Sequence, residues 1–166
     1  MLIKSIFTNS SGILVSRVLG FVRDLLTASV LGANIYSDIF FIAFKLPNLF
    51  RSIFFVFAFT QAFIPAYAKS KHKIRFSSII FLQLFGFLII LSLIVSLFSH
   101  IVAKAFAIGF SKETIDLAAP LFAINFYYLP IIFTVTFMAA LLQYKNHFAT
   151  SAYSTALLNL GMIAAL

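Results

Sequence analysis

Six ionisable side chains stand among apolar residues in the first third of the chain. Arg17, Arg23 and Asp24 lie in SRVLGFVRDLL, and Asp38, Lys45 and Arg51 lie in SDIFFIAFKLPNLFR. The chemistry open to them is electrostatic. Arginine offers a rigid fork of donors that matches the oxygens of carboxylates and phosphates. Arg17 and Asp24 are seven apart, as are Asp38 and Lys45, so each pair shares one helix face and could form a structural ion pair. Arg17 and Arg23 are six apart, about 120° from each other on an ideal helix, with Gly20 between them where a bend would turn both inward. Asn48 and Arg51 form a second cluster beside Pro47. Four cations against two anions leave a surplus that calls for an anionic partner. The candidate binding residues are Arg17, Arg23, Asp38, Lys45, Asn48 and Arg51.

Other chemistry finds little support. There is no cysteine, so disulfide and thiolate reactions have no basis. His72, His100 and His147 are isolated, without metal-ligand spacing. No nucleophile–base set and no glycine-rich phosphate loop is present. The reading is therefore a binding or transport protein rather than an enzyme, with no catalytic residue, metal or cofactor assigned.

The elements that position these charges follow from composition. The chain has 166 residues, 63% of them hydrophobic and only 10% charged, with 23 phenylalanines, and its mean hydropathy is +1.10. Residues 76–103, 117–144 and 146–166 contain no Asp, Glu, Lys or Arg. Each run exceeds the roughly 20 residues that a helix needs to cross the hydrocarbon core. The expected fold class is an all-α, multi-pass integral membrane bundle, because lipid admits only helices or closed barrels, and runs this long without alternation are not barrel strands. Five segments are expected, at about 6–31, 36–66, 76–104, 115–143 and 149–166. Gly32 and Asn34 supply a turn after the first, and Pro47 interrupts the second. No soluble domain is expected. The final segment stops within an apolar run, as in a piece of a longer protein.

Within lipid a mid-helix Arg, Lys or Asp costs about 2.5 to 3.5 kcal/mol on insertion scales. The six charges are therefore expected to face a protein interior or a polar cavity lined by the first two segments. Asp38, near a helix end, could instead reach the head groups. The phenylalanines are expected mainly as lipid-facing bulk. Asn125 and Asn159 are expected to make interhelical hydrogen bonds.

The net charge of +8 is read by position rather than as a nucleic-acid surface. Lys69, Lys71, Lys73 and Arg75 crowd one short loop, and Lys4 and Lys145 fall on the same side. The other side holds Lys104 and Lys112, offset by Glu113 and Asp116. The positive-inside rule then places the N-terminus in the cytoplasm. The loop also suits contact with anionic membrane lipids.

The stretches SRVLGFVRD, FKLPNLFR and FTQAFIPAYAK, in this order, closely resemble the N-terminal segments of the MurJ (MviN) family of lipid II flippases. That family sits within the multidrug/oligosaccharidyl-lipid/polysaccharide exporter superfamily. The resemblance is densest from Ser16 to Lys69 and continues more weakly through LLNLGMIA. It implies a fold of about fourteen helices in two lobes, of which residues 1–166 would form part of the N-terminal lobe. It further implies movement of an undecaprenyl-pyrophosphate-linked peptidoglycan precursor between leaflets of the bacterial inner membrane by alternating access. Arg17, Arg23 and Arg51 would then face the pyrophosphate and sugar head group, Asp38 would match an acidic family position, and cell-wall synthesis machinery would be a partner. Two departures stand out: Ser52 replaces a second arginine, and Phe55, Val56 and Phe57 replace Ala-Glu-Gly. The rival readings are an exporter of another undecaprenyl-linked polysaccharide and a non-transporting membrane scaffold.

Overall fold

A computed structural model describes residues 2–32, 34–145 and 148–164, and their side chains except those of 2–9, 31, 56, 57 and 148–155. The described residues are helical almost throughout, without a strand. α1 spans Leu2–Leu31 and its helix continues without a break through Gly20. It ends at Gly32, whose φ of +65° is open to glycine without strain. The Gly32 N–H donates to the Ala28 carbonyl at 3.0 Å, a left-handed cap of the last turn.

A second helical run extends over Ile35–Lys69. It comprises α2 (Ile35–Phe50), a wide π-helical stretch (Arg51–Phe59) and α3 (Thr60–Lys69). Pro47 does not end the helix: it lies buried inside α2, and the wide turns begin four residues later. A proline ring crowds the turn before it and removes one donor, and a wide turn is one way for a helix to continue past such a disturbance. At the far end of the wide stretch the Thr60 hydroxyl donates to the Phe55 carbonyl, five residues back, at 3.1 Å.

A turn of three residues, Ser70 to His72, leads into α4 (Lys73–Leu97). The third and fourth expected segments are each divided. α4 stops before Phe98 and the short α5 (Ser99–Phe106) follows. Gly109, at φ +94°, turns the chain toward Ser111, whose hydroxyl accepts from the Thr114 N–H at 3.3 Å and caps α6 (Lys112–Phe126). After Tyr127 comes α7 (Tyr128–Tyr144), and α8 (Phe148–Ala164) ends the described chain.

The division at Tyr127 leaves a polar debt. Pro130 has no N–H to give the carbonyl four residues back, that of Phe126. Ser92, fully buried on α4, has its hydroxyl 2.9 Å from that carbonyl and 2.8 Å from its own Leu88 carbonyl, so its one O–H is shared between the two.

Three helical runs, Ile35–Lys69, Lys73–Leu97 and Lys112–Tyr144, are long and apolar enough to cross a membrane. The protein is an all-helical membrane protein.

The chain divides into two compact units. In the unit of Met1–Asn34 with Ala139–Leu166, α1 packs along α8. In the unit Ile35–Met138 a core forms from Ile39 and Ala43 of α2, Ala103 of α5, and Ala118, Ala119 and Phe122 of α6. Four alanines in this cluster let the helix backbones approach closely, the usual packing device in lipid.

Phenylalanine, expected on the lipid-facing surface, is divided between surface and core. Phe21, Phe41 and Phe87 are exposed, but Phe55, Phe63, Phe122, Phe126, Phe133 and Phe137 are buried. Rings of Phe59, Phe63, Phe81, Phe133 and Phe137 meet at centroid separations of 5.0 to 6.0 Å. Such contacts add about 0.5 to 1.5 kcal/mol per pair beyond area burial. In lipid, where water provides no drive for helices to associate, close ring packing is one of the forces left to hold them.

Candidate functional site

The candidate residues fall into two sets, one in each unit. Arg17 and Arg23 belong to the unit containing α1, while Asp38, Lys45, Asn48 and Arg51 belong to the other.

On α1 the 120° offset between the two arginines has a visible result. Arg17 is exposed and makes no hydrogen bond or ion pair among the described residues. Arg23 lies on the side that meets α8 and its side chain is 23% exposed. One terminal nitrogen donates to Asn159 Oδ1 at 2.9 Å and approaches Met162 Sδ at 3.7 Å. Its Nε and other terminal nitrogen donate to Asp24 Oδ1 at 3.0 and 2.7 Å. The Arg23 backbone carbonyl also accepts from the Thr27 hydroxyl at 2.8 Å.

The pairing of Arg17 with Asp24 drawn from their spacing is therefore corrected: Asp24 turns to its neighbour Arg23. Asp24 is 67% exposed, and at such exposure an ion pair contributes little stability. Asp38 and Lys45 are likewise exposed and form no pair with each other. Each stands free on the surface of α2 among the described residues.

Asn48 and Arg51 do come together. Arg51 Nε donates to Asn48 Oδ1 at 3.0 Å, one turn back, with both residues half-buried. The contact spans the junction of α2 with the wide stretch. Both terminal nitrogens of Arg51 remain without a partner among the described residues. A guanidinium fixed through Nε and open at its far end is suited to two phosphate or carboxylate oxygens side by side.

Asn159 makes the interhelical bond expected of it, whereas Asn125 makes none among the described residues. Its contact with Arg23 was not legible in the sequence, because 136 residues separate the two. No group of three or more His, Cys, Asp or Glu gathers among the described residues. The Val56 and Phe57 side chains, at the second departure from the family pattern, and His147 lie outside the described residues.

Asp38, Lys45, Asn48 and Arg51 fall within the part of the chain that matches a family model, and Arg17 and Arg23 precede it. The family described as "Lipid II flippase MurJ" matches residues 27–166. The chain belongs to the MurJ family. A "Probable lipid II flippase MurJ" of Helicobacter pylori strain J99 is 51% identical over 139 residues, covering 84% of this chain and 30% of the relative. The protein of the same name from Buchnera aphidicola of Acyrthosiphon pisum is 38% identical over 171 residues, covering 98% of this chain and 33% of the relative. The Aquifex aeolicus MurJ relative is 36% identical over 162 residues, 95% of this chain and 32% of its own. The chain thus spans about a third of the length of the curated MurJ relatives it matches. No solved structure matches.

Proposed function

We propose that this chain is the N-terminal part of a lipid II flippase. The complete protein would carry an undecaprenyl-pyrophosphate-linked peptidoglycan precursor from the inner to the outer leaflet of the bacterial cytoplasmic membrane. Residues 1–166 would supply part of one lobe of a two-lobed exporter and contribute Arg17, Arg23 and Arg51 to a cationic cavity. The lobes would rock to expose the head group on alternate sides.

One observation carries the reading. Arg51 is held by the Asn48 amide oxygen at 3.0 Å and meets no carboxylate among the described residues, and Arg23 is held by the Asn159 amide oxygen at 2.9 Å while its other edge pairs with the exposed Asp24. A neutral acceptor orients a guanidinium without cancelling its charge, which is what a site for a diphosphate needs. A purely structural arginine in lipid would be expected to meet a buried carboxylate instead. Arg17, exposed and without a partner among the described residues, adds a third positive charge. Asp38, Lys45 and Asn48 would complete the polar surface near the head group, with the N-terminus in the cytoplasm as the basic residues gathered at 69–75, around the turn between α3 and α4, imply. The family names of the relatives support the same substrate.

The test is depletion of the native flippase and complementation by the complete protein carrying Arg17→Ala, Arg23→Ala or Arg51→Ala. Growth and outward exposure of lipid II are expected to fail at unchanged membrane abundance. Normal growth by all three variants would remove the basis of the assignment. Loss of abundance instead of activity would favour the scaffold reading.

A further inference from the structure

Asn159 lies in an apolar stretch of α8, away from every charge in the sequence, yet it is only 4% exposed. Both ends of its amide are committed to α1. Nδ2 donates to the Ser16 carbonyl at 2.9 Å and Oδ1 accepts from Arg23 at 2.9 Å. Ser16 and Arg23 are seven apart and so lie on one face of α1, two turns from each other. The two bonds fix the amide in one sense. Turned over, its NH2 would face the guanidinium donors and its oxygen would face a carbonyl.

Asp24 holds the remaining edge of the same guanidinium. That carboxylate is mostly in the open, and it occupies the nitrogens that an anionic ligand would use. Phosphate oxygens arriving there must displace it. The asparagine contact is on a different nitrogen, is sheltered between two helices, and need not be broken.

We propose that Asn159 is the positioning residue for Arg23: a neutral acceptor that keeps the guanidinium in place while Asp24 yields to phosphate oxygens. The proposal rests on the flippase reading and assigns a role within it to a residue of α8. A carboxylate at position 159 would hold Arg23 equally well but neutralise it. An aliphatic residue of similar size would leave it charged but unheld.

The experiment uses the complete protein, purified in detergent, with undecaprenyl pyrophosphate as the probe. Binding is titrated for wild type, Asn159→Asp, Asn159→Leu and Arg23→Ala, and for each Asn159 change combined with Arg23→Ala. Thermal midpoints are recorded beside each titration. The expected result is about tenfold weaker binding for both Asn159 variants and no further loss when Arg23 is already alanine. Asn159→Asp keeps the volume and the acceptor toward Arg23 but loses the donor to the Ser16 carbonyl, so the thermal midpoints separate a loss of binding from a loss of folding. If wild type binds, Arg23→Ala loses binding and the Asn159 variants bind normally, the positioning role is overturned while the flippase reading stands. If the Asn159 losses persist in full without Arg23, the amide is only a bond between helices, and the proposal again fails. If wild type does not bind the probe, the flippase reading fails and takes the proposal with it.

Discussion

Gly20 of α1 faces Asn159 of α8 with room for one more carbon. A Cβ placed on Gly20 would sit 3.5 Å from Asn159 Nδ2, which is ordinary contact. Alanine therefore fits, and it removes the backbone freedom that glycine loses on folding. Gly20→Ala is expected to leave activity intact and to change stability by no more than about 1 kcal/mol, in the stabilising direction. Gly20→Leu would push branched carbons into the amide that holds Arg23, and is expected to lose activity as Asn159→Leu does. Thermal midpoints and complementation of the complete protein, measured side by side, check both. The sequence marked Gly20 as a site for a bend; its proximity to α8 depends on a helix more than a hundred residues later, and no local pattern encodes that. Arg23 and Arg51 stand out by being charged in apolar surroundings. Their asparagine partners differ in legibility: Asn48 is one turn away and was visible by counting, while Asn159 was not.

At the level of elements, prolines shape the helices and neighbours repair the consequences. The Phe126 carbonyl, left without a donor by Pro130, relies on the Ser92 hydroxyl of α4. Serine is weakly suited to helix interiors in water, but here it satisfies an acceptor that no solvent reaches. Ser92→Ala leaves that carbonyl bare and is expected to destabilise the protein by about 1 to 3 kcal/mol. A fall in thermal midpoint in Ser92→Ala, absent in Ser77→Ala, where the hydroxyl is exposed, would bear this out; equal midpoints would refute it. Long charge-free runs made the helices easy to foresee. Their internal divisions at Phe98 and Tyr127 were not, since neither interrupts the hydrophobic run that signals a span. The burial of half a dozen phenylalanines was also hidden, because in lipid an apolar residue faces outward or inward at similar cost, and the sequence carries no contrast between the two.

For the whole molecule, orientation is the property most open to direct test. The chain has no cysteine, so single cysteines can be introduced on a silent background. Ser70 lies in the three-residue turn between α3 and α4, and Ser111 lies at the start of α6. With the N-terminus in the cytoplasm, an impermeant maleimide added to intact spheroplasts is expected to label Ser111→Cys and spare Ser70→Cys until the membrane is opened. The reverse pattern would invert the topology. Membrane character was plain from composition, whereas the two-unit division of the chain depends on α8 returning to α1, a pairing decided by packing alone.

The wide stretch at Arg51–Phe59 also changes how the second span must be counted. A π-helical turn takes more residues than an α-helical one, so each residue there advances the face by a smaller angle. The sevenfold count that aligns Asp38 with Lys45 runs true through α2 and then slips out of phase. By Thr60 the register has been reset, and α3 presents a side of its own choosing. The span is one rod in length but two in azimuth, and the charged side of its first half does not predict which side of its second half meets lipid.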